Sequence, residues 1–153
     1  MPVFTVNGQD IHAHEEGKGD RLAILIHGWS SSWFAVSPMI PYLSQRYRCL
    51  AVDLPGFGQS PSLPHRATIS AYADLIAGLI RQQTDKPAVL VGHSMGGMIS
   101  VMVAKENPKL VERLVLVCPT ISGRLSSQIN LSLSPFVVLE RFKPTNALIT
   151  LLE

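Results

Sequence analysis

"VGHSMGG", Val91 to Gly97, decides how this chain is read. The apolar or small residues Pro87-Ala88-Val89-Leu90-Val91 run into it as a strand would, and a helical pattern leaves it. In that helix, expected over Ser94–Glu106, Met98, Ile99, Met102 and Val103 face inward, and Asn107-Pro108 ends it. Gly92-His93-Ser94-Met95-Gly96 fits G-x-S-x-G, which by composition alone arises roughly one time in twenty in a chain of this size. The position between a buried strand and a helix carries more weight, because that is the setting of a nucleophile on a sharp turn. Gly92 and Gly96 fit a turn so tight that no Cβ has room, and Gly97 extends the same small-residue run. Ser94 is expected to hold strained dihedrals that expose its hydroxyl. It opens a helix whose first amides favour developing negative charge.

Outward from this turn, strands and helices alternate. Val3–Val6 and Asp10–Glu15 read as short strands around the Asn7-Gly8 turn. "RLAILIHG", 21–28, reads as a strand buried on both faces. Ser37-Pro38 reads as a helix start, with a capping hydroxyl before a first-turn proline and Ile40 and Leu43 on the apolar face. "YRCLAVD", 47–53, is the next buried strand, and "DLPGFGQSPSLP" after it is loop. Thr68–Gln83 is an amphipathic helix with Ile69, Tyr72, Ala73, Ile76 and Ile80 on one face. "LVERLVLVCP", 110–119, is a further strand. Beyond Gly123 the sequence is apolar and Ser-rich, shows no clear strand, and ends in a helical pattern. The alternation predicts an α/β protein with a mostly parallel central sheet flanked by helices. There is no internal repeat.

Composition narrows the function. The 153 residues suffice for one domain with a real core. A net charge of +2 argues for neither nucleic acid nor a membrane surface as partner. Mean hydropathy is high at +0.23, yet no apolar run reaches the ~18 residues of a membrane span. The N-terminus has neither the basic start nor the apolar stretch of a signal peptide. Cys49 and Cys118 lie in apolar runs and read as buried free thiols of a reducing compartment, so a cytoplasmic location is expected. No G-x-G-x-x-G follows a strand and no Walker lysine motif is present, which excludes nucleotide binding. No metal site and no cofactor are expected.

Two more motifs bear on chemistry. An oxyanion hole needs two N–H groups aimed at one point. One would be that of Met95. The other should come from the loop after the third strand, where His27-Gly28-Trp29 offers the Trp29 N–H. His27 reads as an anchor of that loop, and His93, inside the turn, as structural. In Asp53-Leu54-Pro55-Gly56-Phe57-Gly58-Gln59-Ser60, the aspartate reads as a partner for turn amides.

Taken in order, "LIHGWSSS", "AVDLPGFGQS" and "VGHSMGG" resemble the N-terminal half of an α/β-hydrolase-fold enzyme of the esterase, lipase and carbon–carbon hydrolase group. The resemblance covers about residues 3–120. It implies hydrolase core over 1–122, truncated after about six strands, and the start of a helical cap over 123–153. It implies Ser94 as the nucleophile, Met95 and Trp29 as oxyanion donors, and His27, Gly28, Gly92, His93, Gly96 and Gly97 as supporting residues. Serine at 94 argues against the family's dehalogenases and epoxide hydrolases, which carry aspartate there. The implied reaction is acyl transfer from an ester or related small-molecule substrate to water through an acyl-serine. The family places its acid and its base histidine late in the chain. Here no histidine follows His93, and Glu140 is the next acidic residue after Glu112. His12 and His14 are expected on an edge strand and His65 in a Pro-rich loop. The 153-residue chain alone is therefore expected to be inactive, the alternative being a non-catalytic ligand-binding protein on the same fold. An unpaired edge along 111–118 is expected to favour self-association.

Overall fold

Leu22–Ile26 form strand β3, and all five residues are buried. A strand with no exposed face needs paired neighbours on both edges and a packed layer on each side. Its neighbours are β4 (Arg48–Val52) and β5 (Ala88–His93), both parallel, in a register that sets Ile26 beside Val52 and Gly92. β6 (Val111–Val117) extends the parallel set beyond β5. On the other side β2 (Gln9–Glu16) runs antiparallel to β4, and β1 (Val3–Val6) antiparallel to β2. This computed structural model describes residues 1–64 and 67–120, together with the backbone of Val137–Val138. Those last two residues form β7, parallel to β6, and complete the order β1-β2-β4-β3-β5-β6-β7.

The crossovers bury apolar faces on both sides. α1 (Ile40–Leu43) follows a 3-10 turn over Trp33–Met39, α2 (Ile69–Gln83) links β4 to β5, and α3 (Met95–Glu106) links β5 to β6. α2 and α3 cover the larger core, where Ile24, Ile26, Leu50, Ile76, Ile80, Leu90, Ile99 and Leu116 meet. The 3-10 turn and α1 cover a smaller one built on Leu25, Val36, Ile40, Ala51 and Val91. Thr68 caps α2 by accepting the Ala71 N–H at 3.1 Å, and the hairpin turn takes positive φ at Asn7 and Gly8, as a two-residue loop between twisted strands demands. At the entry end of the strands, Arg21 pairs with Glu112 and stacks over the Tyr47 ring at 5.0 Å.

Several expectations need correction. Ser37 does not cap a helix: it lies inside the 3-10 turn, and its hydroxyl donates to the Phe34 carbonyl. The three-residue spacing of Phe34 and Ser37 suits the tighter helix, and the α-helical turn begins only at Ile40. In α3, Ile99 and Val103 are buried as expected, whereas Met98 and Met102 are only half-buried, and Val101 and Ala104 take their share of the core. Of the two histidines on β2, His12 is not at a free edge, because β1 pairs with Gln9–His12, whereas His14 lies in the half of the strand that pairs with β4. The edge of β6 is not bare either: Val137 and Val138 pair with Leu114 and Val115. Two β-branched residues in a Ser-rich stretch are too short a signal to read as a strand. The helical pattern of the last residues lies outside the described ones.

Cys118 is also not buried. It sits one residue past β6 with φ +44°, where the chain leaves the sheet and the apolar alternation of the strand no longer applies. Cys49, inside β4, is fully buried, and that burial pushes its thiol up to about 11. A thiol reagent at neutral pH should accordingly label one cysteine in the folded chain and the second only in denaturant. Two fast-reacting thiols in the native chain would contradict this placement.

Candidate active site

The C-terminal ends of β3, β5 and β6 converge on Ser94. β5 ends at His93, α3 begins at Met95, and Ser94 between them has φ +53° and ψ −116°. That combination is costly for a residue with a side chain, of order 1–3 kcal/mol, and persists only where the surroundings enforce it. Here they do. The Ser94 N–H donates to the Val117 carbonyl at 2.9 Å, and the Ser94 carbonyl accepts from Gly97 at 3.0 Å and Thr120 at 3.3 Å. With its N–H tied to β6 and its carbonyl to α3, only the half-buried side chain is left to project from the turn.

Glycines permit this geometry. A Cβ on Gly92 would lie 2.6 Å from the Gly97 Cα, and one on Gly96 would lie 2.6 Å from the His27 carbonyl oxygen. The first turn of α3 therefore rests directly on the backbone at the end of β3. Gly97 packs on Pro119, which a Cβ would approach to 2.8 Å. Gly28 completes the set from the opposite loop: a Cβ there would stand 3.0 Å from the Ser94 Cβ and 3.3 Å from the His93 Nδ1. Met95 is buried and opens α3, so its N–H has no acceptor one helical turn back.

The loop after β3 is pinned at both ends. His27, fully buried, has Nδ1 2.6 Å from the Gly28 carbonyl oxygen and Nε2 3.1 Å from the Leu54 nitrogen. A carbonyl only accepts and an N–H only donates, so the ring is the neutral Nδ1–H tautomer. Burial holds its pKa below the ordinary 6.5, opposed by the Gly28 hydrogen bond and the Asp53 charge and aided slightly by His93. At the far end, Asp53 Oδ1 accepts the Trp33 N–H at 2.7 Å while Oδ2 accepts the Gln59 N–H at 2.9 Å. Ser60 Oγ donates to the Asp53 carbonyl at 2.7 Å and accepts the His12 N–H at 2.9 Å. Asp53 is thus used up by turn amides. Gly58, at φ +56°, leaves room for the carboxylate, on which any Cβ would fall.

Trp29, in this loop, is 71% exposed, and its ring meets Phe57 edge-on at 5.3 Å; His27 meets the same ring at 5.7 Å. Phe57 stands out only in the structure. The sequence offered one signal, an aromatic between two glycines in a loop, where no apolar periodicity asks for it. His93 has its Nδ1 buried without a hydrogen-bond partner. His14 stacks on Trp33 at 4.4 Å, and His12 lies on the same strand, β2. His65 lies outside the described residues. Among the described residues no cluster of His, Cys, Asp and Glu fits a metal ion, and no helix is long and apolar enough to cross a membrane.

Comparison with known proteins agrees with this architecture. A family model described as the alpha/beta hydrolase family matches residues 23–151. The chain belongs to that family. It is similar to the hydrolase YugF of Bacillus subtilis, 40% identical over 119 residues that make up 75% of this chain and 43% of that protein. A second relative is the pimeloyl-[acyl-carrier protein] methyl ester esterase of Methylococcus capsulatus, 35% identical over 68% of this chain and 39% of the esterase. Among solved structures, a mutant of the meta-cleavage product hydrolase CumD superposes with a TM-score of 0.70 at 29% identity, over 77% of this chain and 45% of that one. The chain thus spans about two fifths of the length of these family members.

Two outcomes follow from the packing and the protonation. Gly96→Ala should cost about 2–4 kcal/mol, since the new Cβ meets backbone that cannot yield cheaply; urea unfolding that shows less than about 0.5 kcal/mol would refute the close approach. Because the folded-state pKa of His27 lies below its ordinary 6.5, the unfolded chain takes up a proton that the native chain refuses. The His27 contribution is complete above that value and is lost as pH falls through it. Thermal unfolding between about pH 7.5 and about pH 5 should therefore show a shallower acid loss in His27→Asn than in the parent chain.

Proposed function

We propose that Ser94 is the nucleophile of a serine hydrolase that acts on a carboxylic ester or related acyl substrate through an acyl-serine intermediate. The observation that carries this reading is the conformation of Ser94: a non-glycine residue at φ +53° and ψ −116°, clamped between a buried strand and a helix. Strain of this kind needs a purpose, and exposure of a reactive hydroxyl at the mouth of a helix supplies one. In the proposed step, the Ser94 oxygen attacks the acyl carbon and the carbonyl oxygen gains the electron pair. The N–H groups of Met95 and Trp29 stabilise that oxyanion, the leaving group departs, and water later cleaves the acyl-serine. The ester chemistry in the name of the Methylococcus relative is consistent with this substrate class.

A base must take the Ser94 proton, and we assign none within these 153 residues. His27 is disqualified by its own bonds, since both ring nitrogens are engaged and burial resists its protonation. His12 and His14 belong to β2, on the far side of β4 from β5. On this reading the chain by itself forms an acyl-serine slowly from an activated ester and then stalls. Loss of the base alone costs about 10⁶-fold in kcat in an unrelated serine protease, and about 10³–10⁴ over water survives from the oxyanion hole and binding.

The test sets the 153-residue chain beside its Ser94→Ala variant, using a fluorophosphonate label and p-nitrophenyl acetate. Covalent label on Ser94 in the parent, none in the variant, and no sustained turnover in either is the expected pattern. Sustained turnover abolished by His65→Ala or His93→Ala would identify a base and overturn the inactivity. A parent chain that labels no better than Ser94→Ala would favour the second reading, a ligand-binding protein that keeps the fold without the chemistry.

A further inference from the structure

The His27 ring ties the loop after β3 to the backbone just past β4, and its direction of hydrogen bonding has a stereochemical result. Its Nδ1–H donates to the Gly28 carbonyl, and its Nε2 is held by the Leu54 N–H. The Gly28 carbonyl and the Trp29 N–H belong to one planar trans peptide, in which C=O and N–H point in opposite directions. Fixing the carbonyl toward His27 therefore fixes the N–H away from it. The same peptide packs against Ser94, with Gly28 so near that a Cβ would stand 3.0 Å from the Ser94 Cβ.

Among the described residues no other hydrogen bond holds this peptide, and the contact of the Trp29 ring with Phe57 fixes the side chain rather than the peptide plane. Gly28 has no side chain to select a backbone conformer, and Ser30, two residues on, already has φ +51°. The next anchor is the Trp33 N–H on Asp53, five residues along the loop. A peptide that follows a glycine can rotate as a plate unless one of its poles is held.

We propose that His27 is a positioning residue, whose Nδ1–H sets the Gly28–Trp29 peptide so that the Trp29 N–H faces the oxygen bound at Ser94. This rests on the reading of Ser94 as the nucleophile. The role belongs to one ring nitrogen: Nδ1 aims the peptide, while Nε2 and Leu54 only hold the ring. Asparagine in place of histidine keeps a donor near Nδ1, and glutamine reaches the position of Nε2. A merely structural role would make the glutamine variant the better substitute, or the two equal.

The experiment uses the 15N-labelled 153-residue chain and its His27→Asn and His27→Gln variants. In the free chains, the Gly28 and Trp29 amide signals should stay near their parent positions in His27→Asn and move in His27→Gln. Phenylboronic acid then probes the hole. The Ser94 oxygen bonds to boron, its proton passes to water, and the anionic tetrahedral boron keeps both hydroxyls, one of which occupies the oxyanion position. Adduct affinity should fall about tenfold to a hundredfold in His27→Gln, less than the roughly 10²–10³-fold that outright loss of an oxyanion donor costs in rate because the Trp29 N–H is misaimed and not removed, and less than about threefold in His27→Asn. Equal effects of the two variants on the amide signals would overturn the proposal. Should either variant fail to fold, the parent decides: a ring proton on Nε2 in its nitrogen-correlated imidazole spectrum, or a Trp29 amide unmoved by adduct formation, would overturn it equally. A boronic acid that binds Ser94→Ala as tightly as the parent would instead sink the nucleophile reading, and the free-chain amide signals would still judge His27.

Discussion

The approach of α3 to the end of β3, with nothing between them but backbone, is the constraint on which the rest of this structure depends. Gly96 lies against the Ile26 and His27 carbonyls with no room for one carbon. Because of it, the chain must pass from strand to helix within one residue, and Ser94 must accept dihedrals that other positions would shed. Packing on either side stabilises the arrangement: α3 buries Ile99 and Val103 against the sheet, and the fully buried β3 leaves the contact no freedom to slide. The strain at Ser94 is thus balanced by a core many residues wide, and no local interaction need be strong.

Much of this was legible in the sequence, because the elements that matter are long and uniform. The apolar runs at 21–28 and 87–91 allow only buried strands, and the spacing of Tyr72, Ala73, Ile76 and Ile80 allows only a helix. The glycines at 92 and 96 announce a turn without side chains. What escaped was short or depended on contact. The 3-10 geometry around Ser37 differs from an α-helical start by one hydrogen-bond partner, and β7 is two residues. The exposure of Cys118 follows from where β6 stops, which an apolar run does not reveal. The pairing of Trp29 with Phe57 joins loops that no periodicity connects.

The candidate site divides into two kinds of part. Ser94, Met95 and the glycines belong to one continuous turn, and their arrangement is inherent in it. The loop carrying Gly28 and Trp29 arrives from elsewhere and must be fastened. Two groups fasten it, His27 to Leu54 and Trp33 to Asp53, and both land on consecutive residues at the end of β4. A third strand, β4, therefore governs the relation between the two halves of the site, though neither of its anchoring residues faces Ser94 as a reacting group.

The double anchorage at Asp53 and Leu54 also limits where this chain can change length. Asp53 holds Gln59 and Ser60 as well as Trp33, so residues 53–60 form a closed cycle of fixed size. An inserted residue within that cycle would part the carboxylate from one of its amides, and the loss would pass directly to the Trp33 end of the loop beside Ser94. The same residue inserted after Pro61 and ahead of the Thr68 cap would enlarge the crossover to α2 and leave every one of those bonds intact. Between β4 and α2, an added residue is therefore accommodated after Pro61 and not before it, and Asp53 sets the border.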